Sequence, residues 1–434
     1  MTTPTNFSRR SVLGLAGLGA GAALLGGCGD DGSGDSGNNG GGSATIDWWH
    51  ISNVDPMLTT WANLAKDFQT ANSGVEIKIT PLENEAFKAK LTTVTQAGTP
   101  PDIFHSWGGG VLKQQVEAGL VKEIDLGDAA GSINKNGLDI YKVDGKQYGV
   151  PFDLGMVGFW YNKELFDKAK IAAPPATWGE FLDAVGKLKS AGVTPIALAG
   201  SESWTAHFYW AYLAIRVAGV DGLAAAAADG SFDQPDFVAA GARFKELIDL
   251  DPFQKGFLGA KYSATDGQAA IMGNGQAAIE LMGQWAPTTE KAYSSNKQGI
   301  GEKLGFFPFP AVDGGKGTVE DAFGGGNGFA LGKDAPPQAT EFIKFLLTAD
   351  SQRKGASSDS ILPVTAGAED ALKDANLKSV HAAIAKAPKF QLYLDQAYAP
   401  AVGTQVNDSV AELVAKKATP EKVAQDIAKV AKNQ

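Results

Sequence analysis

Residues 44–79, ATIDWWHISNVDPMLTTWANLAKDFQTANSGVEIKI, decide the fold class. The apolar run around Thr45 to His50 reads as a strand, and Asp55-Pro56 supplies a helix N-cap with proline at the first helical position. Leu58, Trp61, Leu64, Ala65 and Phe68 recur at helical spacing until Asn72-Ser73-Gly74 ends the helix. Val75-Glu76-Ile77-Lys78-Ile79 then alternates with period two, which completes a β-α-β unit. A second helix carries Phe87, Leu91 and Val94 on one face and stops at Gly98, and Pro101-Asp102-Ile103-Phe104 opens a third strand. The βαβαβ order over residues 44–106 predicts an α/β fold on a mainly parallel, doubly wound sheet.

Downstream, Val143-Asp144-Gly145-Lys146 is a turn signal between short strands, and Tyr148 to Tyr161 is an extended, aromatic-rich run. Thr177-Trp178-Gly179-Glu180 is a capping box opening a helix with Phe181, Val185 and Leu188 on its core face. A strand-like Pro195 to Leu198, further helices and the run Leu304 to Pro310 repeat the α/β pattern and predict a second lobe. No internal repeat of 20 to 50 residues is present.

Upstream lies an address. Arg9 and Arg10 are the only charges before an uncharged Gly/Ala/Leu run from Val12 to Gly27, shorter than the ~20 residues a spanning helix needs. Ser8-Arg9-Arg10-Ser11-Val12-Leu13 looks like a twin-arginine export signal, and Leu25-Gly26-Gly27-Cys28 looks like a bacterial lipobox that leaves an acylated cysteine. Residues 1–27 therefore read as a signal peptide and Cys28 as the lipidation site. Residues 29–43 contain only Gly, Asp, Ser and Asn, a flexible tether with an r.m.s. span of about 20 Å.

The 434 residues carry a net charge of −10, which argues against a polyanion-binding surface and places no nucleic acid among the partners. One Cys forms no internal disulfide, and 4 scattered His give no zinc ligand set, so no metal or other cofactor is expected. Gly17 to Ala22 superficially resembles a dinucleotide fingerprint, but it lies in the signal peptide with no strand before it. Gly314-Gly315-Lys316-Gly317-Thr318 fails as a P-loop because Gly follows Lys316, and neither Gly-x-Ser-x-Gly nor His-Glu-x-x-His occurs. No catalytic residue is assigned and the chain is not read as an enzyme. A pair of carboxylates for glycoside hydrolysis is a spatial arrangement that sequence cannot exclude, and Glu83 and Glu85 come nearest to one. Glu83 is a ligand-binding candidate on that segment; the alternative for both is simply to favour the N-terminus of the helix they precede.

The aromatics speak more loudly. Ligands of open parallel sheets bind outside the carboxyl ends of the strands, and Trp48, Trp49 and Trp107 lie at such ends. Indoles there suit the C–H-rich faces of pyranose rings, with Asp, Glu, Asn, His and backbone groups serving the hydroxyls. Trp107, before three glycines that cannot shield it, is assigned to a site; Trp61 and Trp178 fit apolar helix faces and are assigned to the core.

The ordered set Trp49-His50, Pro101-Asp102-Ile103-Phe104 with Trp107, Gly149-Val150-Pro151-Phe152-Asp153, Tyr161-Asn162-Lys163-Glu164-Leu165-Phe166, Met282-Gly283-Gln284-Trp285 and Phe323-Gly324-Gly325-Gly326 resembles the family 1 solute-binding proteins. These are the extracellular, maltose-binding-protein-like sugar receptors of ABC importers. Within the group, residues 81–91 and Trp107-Gly108-Gly109-Gly110 look most like the receptors for xylobiose and short xylo-oligosaccharides.

The resemblance implies a two-lobed periplasmic-binding-protein fold, type II-like, with discontinuous lobes, a hinge and a central ligand cleft. The chain would divide into 44–152 plus 311–359 and 153–310 plus 360–434, with crossings near Phe152, Pro310 and Asp359. It implies a lipid-anchored, exported monomer on the extracellular face of the membrane, partnered by an oligosaccharide and by permease subunits. The competing readings are a secreted glycoside hydrolase-like lipoprotein and a sensory receptor that presents the sugar to a kinase. Asp153 takes the place of a sugar-contacting acid, with an N-cap or turn role as its alternative, and Trp285 the usual stacking position. Trp204 opens an aromatic helix as a second platform, followed by His207 and Tyr209, with Trp210 left to the core. His50 and Asn53 sit where the first strand gives way to its loop. At Gly325 and Asn327 a glycine-rich run would bring backbone N–H groups near a hydroxyl, unless it is a plain turn.

Overall fold

The computed structural model describes residues 43–434; the signal peptide and Cys28 read above lie outside them. The opening pattern is realised as expected. Ala44–His50 pairs in parallel with Val75–Pro81 and with Ile103–Ser106, and Trp48 lies opposite Ile79 on one side and Ile103 on the other. Between the first two strands the helix Met57–Ala71 buries Met57, Trp61, Leu64, Ala65 and Phe68. Pro56 stands at the N-cap rather than at the first helical position, and the Asp55 carboxylate just ahead of it accepts from the Thr59 backbone N–H at 3.1 Å.

The centre of this sheet comes from far along the chain. Ala322–Gly332 runs antiparallel to Ile103–Ser106 and to Gly149–Met156, and also carries the short strands Val121–Lys122 and Phe390–Leu392. The sheet is thus mixed rather than mainly parallel. Gly324, Gly325, Gly326 and Gly328 lie inside this strand, not in a turn, and neighbouring chains press on them: a Cβ at Gly328 would sit 2.2 Å from the Val150 carbonyl oxygen. Helices cover both faces. Trp48, Trp61, Phe329 and Phe342 form the core on one side, and Trp49, Phe87, Phe104 and Leu112 the core on the other. Adjacent Trp48 and Trp49 point to opposite faces of the strand, so both are core residues rather than strand-end platforms.

The second lobe is built on a smaller sheet in the order Leu304–Phe307, Gly158–Asn162, Ala277–Met282, Thr194–Ile196. The extended run predicted from Tyr148 to Tyr161 passes from one sheet to the other, with only Val157 between Gly149–Met156 and Gly158–Asn162. The predicted hairpin turn closes Lys142–Val143 against Lys146–Gln147, with Asp144 and Gly145 both left-handed at φ 50° and 80°. The capping box forms as read: the Thr177 hydroxyl accepts from the Glu180 N–H at 3.2 Å, and Trp178 stacks on Phe309. The long helix Ser203–Asp229 packs against Pro235–Asp249 and Pro400–Val414, and its aromatic start is almost wholly buried. From it, fully buried Arg216 donates to the carbonyls of Phe309, Pro310, Val319 and Asp321, fastening the segment that leads back to the large sheet.

Candidate functional site

The two lobes face one another across a cavity of about 1180 Å³, a volume that includes its open mouth. The first lobe contributes the loop Ile51–Val54, Asn84 and Lys88 from the helix Asn84–Gln96, His105 and Trp107 at the end of their strand, and Phe152, Asp153 and Asn327. The second contributes Trp204 and Phe208 from the long helix, Tyr262 and Ser263 from a loop, and Trp285, Thr288 and Thr289 around the start of Ala286–Tyr293. Ser360, Ile361, Tyr393, Asp395 and Gln396 complete the lining from late in the chain.

The tryptophans divide cleanly. Of the 9 in the chain, Trp48, Trp49, Trp61, Trp160, Trp178 and Trp210 are buried. The remaining three, Trp107, Trp204 and Trp285, are half-buried, and all three line this cavity. Each is braced edge-on by a neighbour. His105 lies 4.5 Å from Trp107 between ring centres, Tyr262 5.7 Å from Trp204, and Tyr393 6.4 Å from Trp285. The Trp204 indole N–H also donates to the Glu202 carboxylate at 3.2 Å. Such bracing fixes ring orientation while leaving part of each π-face available. Around the indoles stand amides, hydroxyls, the Asp153 and Asp395 carboxylates and the single amine of Lys88, so the walls are aromatic and the polar groups few and separate.

Asp153 sits at the junction of three passages of chain. Its Oδ1 accepts from the Leu362 N–H at 2.7 Å, and its Oδ2 accepts from the Asn327 Nδ2 at 2.9 Å and from the Gln284 side chain. Asn327 lies directly opposite Asp153, and the register shift that follows, between Asn327 and Gly328, leaves Phe152 without a paired residue. Burial pushes the Asp153 carboxyl up to about 6 despite these donors.

Of the residues singled out from sequence, Asn53, Trp107, Asp153, Trp204, Trp285 and Asn327 come together in the cavity lining. The others do not reach it. His50 shares the strand face of Trp48 and packs against that ring at 4.8 Å, and burial lowers its pKa to about 4, so the imidazole is neutral. Glu83 caps the helix Asn84–Gln96, its carboxylate accepting from the Glu85 and Ala86 N–H groups at 3.0 and 3.3 Å, which is the helix role weighed against a ligand role. His207 is buried between Phe208 and Phe323 with its pKa lowered to about 4 by burial, and Tyr209 stacks face to face on Phe244 at 5.2 Å. Gly325 lies behind the wall, where its bare Cα lets the Tyr393 ring approach to 2.4 Å of a would-be Cβ.

Sequence reasoning missed His105, Lys88, Tyr262, Tyr393, Asp395 and Gln396. His105 carried a signal, two residues before Trp107 on a strand ending at the cleft. The C-terminal residues carried none, since no local motif marks them. Among the described residues no group of His, Cys, Asp and Glu is arranged to hold a metal ion.

Two α/β lobes closing on one aromatic-walled cavity define a solute receptor of the periplasmic-binding type. The chain belongs to the family described as bacterial extracellular solute-binding protein, whose profile matches residues 52–353. Its members are binding proteins rather than enzymes at the family level, and are exported. The chain is 26% identical over 363 residues to the multiple sugar-binding protein of Streptococcus mutans serotype c, covering 80% of each chain. It superposes with a TM-score of 0.80 and 27% identity on a structure from work on xylan utilization by the thermophilic bacterium Caldanaerobius polysaccharolyticus, covering 89% of this chain and 99% of that one. A chitin oligosaccharide binding protein matches at a TM-score of 0.81 and 29% identity, covering 90% and 98%.

Proposed function

We propose that this protein captures an oligosaccharide, with xylobiose and short xylo-oligosaccharides as the first candidates, and delivers it to an ABC importer. The observation that carries this reading is the division of the tryptophans: the three that are not buried line one cavity, and they come from both lobes. Pyranose rings offer flat C–H faces for such indoles, while the scattered amides, hydroxyls and carboxylates serve the equatorial hydroxyls. The sugar-binding names of the relatives and the xylan and chitin contexts of the two structures support the same class.

Capture works by lobe closure. Sugar touching Trp107 on one lobe and Trp204 or Trp285 on the other gains contacts only when the lobes approach, and only such differential contacts shift the open–closed balance. The permease then reads the closed form. In this reading the lobes divide as 44–156 plus 311–359 and 158–310 plus 360–434: the first crossing lies at Val157 rather than near Phe152, because Gly149–Met156 is a strand of the large sheet. The chain acts as a monomer, exported by the twin-arginine route and tethered to the outer membrane face by acylated Cys28 through residues 29–43. A thermal-shift screen against xylobiose, cellobiose, maltose and chitobiose tests the reading, because a ligand of the native state raises Tm by mass action. A Tm unmoved by every sugar at millimolar concentration refutes it.

A further inference from the structure

Glu202 stands at the N-cap of the long helix Ser203–Asp229, where a carboxylate can accept from the first N–H groups of the helix, as Glu83 does for its own. Glu202 makes no such bond; its backbone carbonyl, not its side chain, accepts from the Thr205 N–H at 3.1 Å. The carboxylate is turned to two other donors. Its Oε2 accepts from the Trp204 indole N–H at 3.2 Å, and its Oε1 accepts from the Tyr262 backbone N–H at 3.1 Å. Both donors belong to residues that line the cavity, whereas Glu202 stands behind them, 7% exposed.

The turn that carries Glu202 is held without this carboxylate. The Thr205 hydroxyl lies 2.9 and 3.0 Å from the carbonyls of Ala199 and Glu202, and the Ser201 N–H and hydroxyl both donate to the Ala260 carbonyl, at 3.1 and 2.7 Å. What the carboxylate adds is a bond to a half-buried side chain and a bond to the loop whose Tyr262 ring stands edge-on to that side chain, 5.7 Å away. Burying a carboxylate is unfavourable: it raises the Glu202 pKa, the charges of Glu83 and Glu85 add to the rise, and the two N–H donors oppose it. An indole face that is to stack on a ligand gains from being held at one angle beforehand, because a ring free to turn about its torsions must be ordered on binding.

We propose that Glu202 is a positioning residue for ligand binding: its carboxylate ties the Trp204 indole to the Tyr262 loop, so that both meet the ligand as one preformed surface. The proposal rests on the sugar-receptor reading. Two measurements on the full chain test it. In the ligand-free parent carrying isotope-labelled tryptophan, the Trp204 indole N–H, assigned by its loss in Trp204→Phe, exchanges with solvent at least about tenfold more slowly than free indole. Exchange at the free rate overturns the proposal. Calorimetry with the sugar giving the largest thermal shift then compares Glu202→Gln, Trp204→Phe and the double variant. Glutamine offers one carbonyl oxygen to two donors and turns its amide N–H groups against the other, so affinity falls about five- to twentyfold. With Trp204→Phe already made there is no indole N–H to hold, and Glu202→Gln costs about twofold or less. Equal losses in the two backgrounds mark a merely structural role and overturn the proposal, as does a folded Glu202→Gln variant that binds like the parent. If that variant does not fold, indole exchange in the parent decides. A parent that binds no sugar overturns the receptor reading itself, and the proposal with it.

Discussion

Trp285→Ala removes one wall of the cavity, and its cost follows from geometry. One face of an indole is on the order of a third of the roughly 200 Å² such a side chain can bury. Covering it with a sugar ring takes about 65 Å² of apolar surface out of water, about 1.6 kcal/mol at about 25 cal/mol per Å². Oriented contact with the ring's π-face adds about 0.5–1.5 kcal/mol, by analogy with aromatic pairs. The expected loss is about 2–3 kcal/mol, or about 30- to 160-fold in Kd for the sugar giving the largest thermal shift. Trp285 also immediately precedes the helix Ala286–Tyr293 and touches Tyr393, so the alanine variant loses some stability of its own. Trp285→Phe keeps the packing and most of the face, and loses about 3- to 10-fold, as expected of a smaller ring. Isothermal titration of both variants alongside the parent measures this. An alanine variant that is folded and binds with unchanged Kd refutes the assignment of Trp285 as a stacking platform.

The glycine behind the wall gives a second prediction: Gly325→Ala pushes the Tyr393 ring toward the cavity, since the new Cβ would lie 2.4 Å from it, and sugar affinity falls about tenfold or more while a folded circular dichroism spectrum is retained. Arg216→Met strips buried carbonyls of charged donors and lowers unfolding free energy by at least about 3 kcal/mol in urea melts; a change under about 1 kcal/mol refutes the clamp. Glu280 and Glu290 are a buried carboxyl pair, each raised in pKa by burial, with their mutual interaction raising Glu290 further. The folded state therefore holds protons that the unfolded chain releases near pH 4.3, and stability falls as pH rises above that value. Glu290→Gln flattens the Tm–pH curve between about pH 5 and 8 and raises Tm at its upper end; parallel curves refute this. Asp153→Asn cannot accept from all the N–H groups that converge on the carboxylate and lowers Tm, by about 1–3 kcal/mol of stability. It also removes the fall in stability that wild type shows as pH rises from about 4 to about 6, because the folded Asp153 carboxyl is pushed up to about 6.

What could be read from the sequence was whatever is local. The β-α-β opening, the capping box at Thr177 and the turn at Asp144-Gly145 each state their geometry within a dozen residues. The strand Ala322–Gly332 does not, because glycine is a poor strand former, and what requires it there is the crowding of Val150, Gly155 and Tyr393, distant in sequence. Trp48 and Trp49 were misleading for a related reason: a strand end borders a cleft only where a helix leaves it uncovered, and here helices cover both faces. In the helix Ser203–Asp229 nearly every early residue is buried, which erases the periodicity that would separate a cleft face from a core face. Trp204 in its first turn reaches the cavity, while His207 and Tyr209, one turn on, are surrounded by Phe208, Phe323 and Phe244.

Asp153 shows how the hinge and the cavity are joined. Its strand carries the chain toward the second sheet, Asn327 belongs to the strand that returns to the large sheet, Gln284 directly precedes Trp285, and Leu362 lies in a later passage. A single carboxylate thus binds the backbone near the crossing to the residue before Trp285. Under the proposed closure, rotation of the lobes about Val157 would move Gln284 relative to Asp153, and the energy of that contact would belong to the open–closed balance as well as to folding. A sugar seated against Trp285, as proposed, would bias the same balance from the other side of the same short segment. Coupling between ligand and hinge then needs no pathway through the lobe interior, because the residue that feels the ligand is the covalent neighbour of the one that holds the hinge.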